Sequence, residues 1–294
     1  MKKCFMCPRE CAVDREAGER GFCGASDKFI IGSADLHFWE EPCISGVRGS
    51  GAIFFSGCNL RCVFCQNRDI SRSVLGVEYS EDELVSKMLE LQKRGAHNIN
   101  LVTASPYAHF VARALKRARA CGLVIPIVYN CGGYESVEAL RELDGLVDIY
   151  LPDFKYFDDE FAKKYSSAPN YATVAGGAIS EMYRQVGKLT LDGEGIARRG
   201  LIVRHLVLPG CREDSKAVLK YLADILPVGE VTLSLMRQYT PDWVDADAPK
   251  NLKRKITSFE YEDVLNYALG LGFDGFSQGK ESARVDFTPK FDKK

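Results

Sequence analysis

The sequence lacks an excess of charge of either sign: 39 Lys and Arg stand against 40 Asp and Glu, a net of -1. Nothing in that balance argues for nucleic acid or an anionic membrane, so neither is expected as a partner. It also lacks any run of about 18 apolar residues, which excludes a spanning helix. Met1 leads into Lys2, Lys3 and Cys4 with no apolar leader, and the expected location is the cytoplasm. Internal repeats, low-complexity tracts and long Pro/Gly linkers are missing too. That excludes a solenoid or a string of small modules, and leaves one main domain, 47–294, behind a short lobe, 1–46, with the boundary near Gly46 to Gly51. Hydrophobic residues make up 46% of the chain, enough for a sizeable core.

What the chain has in quantity is cysteine, 11 in all. In a reducing compartment these are metal ligands or catalytic groups sooner than disulfides. Cys4, Cys7, Cys11 and Cys23 cluster at the amino end, and Cys58, Cys62 and Cys65 follow. Cys43, Cys121, Cys131 and Cys211 stand singly and read as packing residues.

From Ala52 onward, strand-like runs alternate with helical patterns, the signature of βα units around a parallel sheet. The runs are AIFFS from Ala52, INLVT from Ile99, VIPIVY from Val124, VDIYLPD from Val147, LIVRHLVL from Leu201 and VTLSLM from Val231. Leu84, Val85, Met88 and Leu89 repeat at helical spacing behind a Ser80-to-Glu83 capping box, and Tyr261, Val264, Leu265, Ala268 and Leu269 do so behind Thr257 and Glu260. Ser105-Pro106 starts another helix that Gly122 ends, a further helix runs near Tyr171 to Val186, and Asp192-Gly193-Glu194-Gly195 is a turn. Six such units predict an α/β fold, a partial (β/α)6 barrel short of the eight units that close. Ligands bind at the carboxyl ends of the strands in such sheets.

Cys58, Cys62 and Cys65 form a C-x3-C-x2-C run just beyond the first of these strands. Thiolates are the usual ligands of iron-sulfur clusters, and a cubane cluster normally takes four. Three leave one iron open to substrate, whereas a structural zinc site, the competing reading, wants four protein ligands.

The stretch Cys58-Asn59-Leu60-Arg61-Cys62-Val63-Phe64-Cys65-Gln66-Asn67, with Phe64 in the aromatic place, resembles the signature of radical S-adenosylmethionine (SAM) enzymes. VDIYLPDFKYF from Val147, VRHLVLPG from Val203 and the amino-terminal CFMCPRECAVDREAGERGFCG extend the likeness to a branch of the homologues of pyruvate formate-lyase activating enzyme. The resemblance implies a radical SAM core with a [4Fe-4S] cluster on Cys58, Cys62 and Cys65, its unique iron chelated by the amino and carboxylate groups of SAM. It further implies reductive cleavage of SAM to methionine and a 5′-deoxyadenosyl radical, which abstracts hydrogen from a substrate, and an electron donor such as a flavodoxin or ferredoxin.

One departure stands out. Where related enzymes carry Gly-Gly-Glu-Pro, this chain has Thr103-Ala104-Ser105-Pro106, so a hydroxyl replaces the carboxylate that would hold the SAM amino group. Thr103 and Ser105 are candidates for that contact, and Ser105 reads equally well as a helix cap. The other cofactor-binding candidates end the later strands: Asn130, Asp153, Lys155, Arg204, His205, and Gln238 beside Tyr239. Asp153 and Lys155 share a face, where a mutual salt bridge is the plain alternative. Arg204 and His205 are adjacent on a strand and point to opposite faces, so at most one enters the barrel. His97 and His109 read as surface or packing residues. No individual catalytic side chain is singled out.

Cys4, Cys7, Cys11 and Cys23 make a complete thiolate set for zinc or for a second cluster, and spacing does not choose between them. Three functions compete. The chain is an activase that places a radical on a glycine of a glycyl radical enzyme, or it modifies a small molecule or a peptide. Last comes a non-catalytic electron carrier, against which the open iron argues.

Overall fold

The computed structural model describes residues 3–282. Each of the six expected runs becomes a strand, and four further strands join them: β1 (Phe29–His37), β2 (Ser50–Phe55), β3 (Val77–Tyr79), β4 (Ile99–Val102), β5 (Ile127–Cys131), β6 (Ile149–Pro152), β7 (Thr190–Leu191), β8 (Ala197–Leu206), β9 (Thr232–Met236) and β10 (Asp274–Ser277). The order across the sheet is β10-β9-β8-β6-β5-β4-β2-β1-β3. Pairing is parallel from β2 to β10 along that order, while β1 runs antiparallel to β2 and β3 antiparallel to β1. The result is the expected α/β partial barrel, open between its ends, with one parallel strand more than the six units read from sequence. That extra strand, β10, is the four-residue DGFS, mostly exposed and without an apolar period to reveal it.

The α-helices among the described residues are α1 (Pro42–Ser45), α2 (Arg68–Ser71), α3 (Glu81–Lys93), α4 (Ala108–Ala120), α5 (Val137–Arg141), α6 (Asp159–Ser166), α7 (Tyr171–Val186), α8 (Arg212–Ile225) and α9 (Ser258–Gly270). Both capping boxes form, Ser80 with Glu83 on α3 and Thr257 with Glu260 on α9. Leu269, expected on the buried face of α9, is exposed, and the contacts are made by Tyr261, Val264 and Ala268. A 3-10 turn at Ser105–Tyr107 precedes α4, because Thr103 turns the chain through a left-handed conformation (φ 61°) as it leaves β4.

Strand alternation sends Ile53, Phe55, Leu101, Tyr129, Tyr150, Leu201 and Val203 outward into the main core under the helices. The inner face is different. Near the amino ends of the parallel strands, Val128, Ile149, Leu151, Ala197 and Ile202 pack on Cys43 and Ile44, so that α1 plugs the half-barrel from inside. Asn98 fixes the plug by donating to the Ile44 carbonyl at 2.8 Å. β1 and α1 lie in the segment expected to form the cysteine-rich lobe, and their pairing and packing knit residues 29–45 into the sheet.

Candidate active site

Between the plug and the carboxyl ends of the strands lies a cleft of about 230 Å³. Cys62, Cys65, Asn130, Asp153, Lys155, Arg204, Gln238 and Tyr239 all line it. They are delivered by the ends of β5, β6, β8 and β9 and by the loop after β2, which is why residues as far apart in sequence as Cys62 and Tyr239 face one space.

Arg204 organises the polar floor. Its Nε donates to Asp153 Oδ1 at 2.9 Å, one Nη to Asn130 Oδ1 at 2.5 Å and the other to Glu40 Oε2 at 3.2 Å. Glu40 also accepts from Asn100 and Asn130, each at 3.1 Å. Lys155 pairs with Asp153, so the salt bridge and the place in the cleft are both realised. Burial pushes the Asp153 carboxyl up, but Lys155 and Arg204 outweigh it and hold the group below the ordinary carboxylate range. Glu41, next to Glu40 and buried, is raised by desolvation with Arg204 opposing.

Three expected residues are not brought to the cleft. His205 points outward, as alternation requires once Arg204 points in, and its Nδ1 donates to the Phe154 carbonyl at 2.7 Å. Burial lowers its pKa to about 4, so the ring is neutral. Ser105 is buried and donates to Glu135 Oε1 at 2.5 Å, and it makes no helix-capping bond. Thr103 leaves β4 with its amide donating to the Asn130 carbonyl at 2.8 Å and does not line the cleft. Conversely, His37, Trp39 and Glu40 line it and were not singled out, since they end an antiparallel strand in the segment assigned to the lobe. The one available signal was Glu40-Glu41 set between Trp39 and Pro42, two carboxylates in an otherwise apolar stretch.

The cysteine loop is braced on several sides. The Arg61 and Val63 amides donate to the Ser166 and Tyr165 carbonyls at 2.9 and 2.8 Å, tying the loop to α6. Arg61 itself donates to the Cys58 carbonyl at 3.0 Å and to the Phe22 carbonyl. Each sulfur has a polar neighbour: the Leu60 amide at 3.4 Å from Cys58, the Ser166 hydroxyl at 3.0 Å from Cys62, and the Ser71 hydroxyl at 3.4 Å from Cys65. Burial raises the Cys58 and Cys62 thiols, with Lys155 opposing most at Cys62, so metal binding there must expel protons. Among the described residues, no three His, Cys, Asp or Glu side chains close on a single metal-ion position. Three thiols with hydrogen-bond donors at their sulfurs, of which Cys62 and Cys65 line the polar cleft and Cys58 does not, suit a cluster with one open iron.

A three-cysteine loop at the carboxyl edge of a parallel half-barrel defines an enzyme of the radical SAM type. The chain belongs to the radical SAM superfamily, whose family model matches residues 52–178. An uncharacterized protein of Methanocaldococcus jannaschii is 31% identical over 284 residues, 93% of this chain and 76% of that one. The pyruvate formate-lyase-activating enzyme of Clostridium pasteurianum is 28% identical over 186 residues, 59% of this chain and 68% of that enzyme. In fold, the chain is similar to the FeFe-hydrogenase maturase HydG from Carboxydothermus hydrogenoformans, with a TM-score of 0.51 at 12% identity, covering 79% of this chain and 54% of the maturase. The family implies a [4Fe-4S] cluster and SAM as cofactors, and relates the chain to pyruvate formate-lyase activases. No helix among the described residues is long and apolar enough to cross a membrane.

Proposed function

We propose that Cys58, Cys62 and Cys65 ligate the [4Fe-4S] cluster and that the adjoining cleft holds SAM for hydrogen abstraction from a further substrate. What carries the reading is the convergence of Cys62 and Cys65 with Asn130, Asp153, Lys155, Arg204 and Gln238 on one cleft. Bound there, cluster and SAM supply a one-electron cleavage that yields methionine and a 5′-deoxyadenosyl radical. The chain supplies the rest. Lys155 and Arg204 offer cationic donors for a carboxylate, Asp153 and Glu40 offer acceptors for an ammonium, and Phe64 and Tyr239, in edge contact at 5.9 Å, offer apolar surface for a base. Glu40 thereby brings from the β1–α1 connection a carboxylate that Thr103-Ala104-Ser105-Pro106 does not provide.

The substrate in this reading is a glycine of a partner protein, with an electron donor of the flavodoxin or ferredoxin class. Exposed Phe38 and Trp39, the latter on the cleft wall, support a macromolecular partner over a small molecule. The test is anaerobic reconstitution with iron and sulfide, reduction, and addition of SAM beside a Cys58→Ala/Cys62→Ala/Cys65→Ala variant. The expected result is a SAM-induced change in the cluster's paramagnetic resonance and 5′-deoxyadenosine from the parent alone. An intact, reduced cluster that shows neither overturns it. A glycyl radical signal on a candidate partner supports the activase; product formation driven by a small molecule alone supports the alternative enzyme.

A further inference from the structure

We propose that Cys4, Cys7, Cys11 and Cys23 hold a second, fully ligated [4Fe-4S] cluster that passes electrons to the site at Cys58, Cys62 and Cys65. The acceptor rests on the reading just given; the donor rests on the amino-terminal lobe alone.

The four cysteines, with no disulfide between them, line one small enclosed cavity together with Met6, Arg9, Glu10, Arg15 and Gly21. The backbone is folded to make it: the Cys4 amide donates to the Val13 carbonyl at 2.9 Å, the Ala12 amide to the Cys4 carbonyl at 3.0 Å and the Glu10 amide to the Cys7 carbonyl at 3.1 Å. Glu10 and Ala12 take left-handed conformations (φ 44° and 54°) that this tight winding imposes. Gly21 is packed so closely that a Cβ there would stand 2.9 Å from the Cys11 sulfur. Donors already face the sulfurs, the Phe22 amide at 3.4 Å from Cys11 and an Arg15 Nη at 3.5 Å from Cys23. Arg15 is 4% exposed and its Nε has no partner, a buried cation on the wall of a cavity of thiols. Such a charge has a reason to be there if the cavity is anionic, as four metal-bound thiolates make it.

Zinc would satisfy that charge as well; position favours the cluster. Tetrahedral zinc draws sulfurs to about 3.8 Å of one another, given Zn–S bonds of about 2.3 Å. These four line the cavity without closing on a single-ion position, as the three of the radical site also do. The lobe is moreover pressed onto the other cysteine loop. Gly57, which precedes Cys58 and has φ 85°, leaves room for a Cβ only 2.7 Å from the Cys23 carbonyl oxygen. Arg9 donates to the Asn59 carbonyl at 2.9 Å, and both Arg9 and Arg61 lie over the Phe22 ring, at 3.8 and 4.5 Å. Ligand Cys23 thus abuts the residue beside ligand Cys58, a short path for an electron.

The step balances simply. A one-electron protein donor of the ferredoxin or flavodoxin class takes the second cluster from the 2+ to the 1+ state and is itself oxidised by one electron. That electron then takes the first cluster from 2+ to 1+ and returns the second to 2+. No bond is made or broken.

The deciding experiment is metal and sulfide analysis of full-length Cys58→Ala/Cys62→Ala/Cys65→Ala protein, isolated without oxygen and offered both iron and zinc. About four iron and four sulfide per chain are expected; one zinc without iron, or no metal, overturns the proposal. Because this variant leaves the lobe intact and needs no SAM, its outcome is independent of the reading of the first site. The relay is tested in the otherwise native chain carrying Cys4→Ala/Cys23→Ala. Reduction of the first cluster by reduced flavodoxin should slow at least tenfold, while its reduction by dithionite and its SAM-induced resonance change persist. An unchanged rate overturns the relay. Should that variant not fold, Arg15→Gln keeps all four thiolates, and is expected to lower the midpoint potential of one cluster and not the other; no shift overturns the role given to Arg15.

Discussion

Arg204 touches three other polar side chains of the cleft at once, Asp153, Asn130 and Glu40. Removing one member of such a group leaves the remainder uncompensated, which costs more than the bond itself. Asp153→Ala should therefore lower unfolding free energy by about 3 kcal/mol, read by urea denaturation of the metal-free protein, since Arg204 and Lys155 would both lose their carboxylate. A loss below about 1 kcal/mol would show the network to be solvated. His205, next along the strand, has a structural task. Its folded pKa of about 4 lies below the ordinary value of 6.5 because burial disfavours the imidazolium, with the Phe154 carbonyl opposing. Between pH 6.5 and about 4 the unfolded chain takes up a proton that the native chain refuses, so stability present above 6.5 is lost as pH falls through that window, on the order of 3 kcal/mol. His205→Gln should flatten this part of the stability profile without changing SAM binding at pH 8. A variant as acid-sensitive as the parent would refute the assignment.

At the scale of elements, the cleft depends on how closely the strand exits of β5 and β6 approach. Gly133, just past β5, has φ 76°, and a Cβ there would collide with the Asp153 carbonyl oxygen at the end of β6. Neither the backbone conformation nor the spacing admits a side chain. Gly133→Ala is expected to displace the Asp153-to-Lys155 exit and weaken SAM binding at least tenfold, with far-ultraviolet circular dichroism preserved; unchanged affinity in a calorimetric titration would refute the coupling. The plug α1 is the other element on which the site turns. Its burial of Cys43 and Ile44 inside the half-barrel is what raises Glu40 to the floor of the cleft.

For the whole molecule, the cleft proposed to hold SAM is lined from β1 to the loop after β9, so binding there should stabilise most of the fold. With the cluster in place, SAM at one hundred times its dissociation constant adds about 2.7 kcal/mol by mass action. A rise in Tm of several degrees is expected in the reconstituted parent and none in the Cys58→Ala/Cys62→Ala/Cys65→Ala variant. Equal shifts in the two would place SAM elsewhere.

By itself the sequence determined the alternation of strands and helices, and with it the α/β partial barrel. Period-two and helical patterns are local, and a buried parallel strand such as INLV in β4 declares itself by composition. The C-x3-C-x2-C run of Cys58, Cys62 and Cys65, on which the proposed cluster site rests, was legible for the same reason: its residues are close in sequence. Only the tertiary structure decided which face each strand-end residue takes. It put Arg204 in the cleft and His205 in the core, turned Ser105 toward Glu135, and brought Glu40 in from before the plug. Those outcomes depend on strand register and on what packs across the sheet, contacts between residues up to 164 positions apart, as for Arg204 and Glu40, that no local pattern encodes.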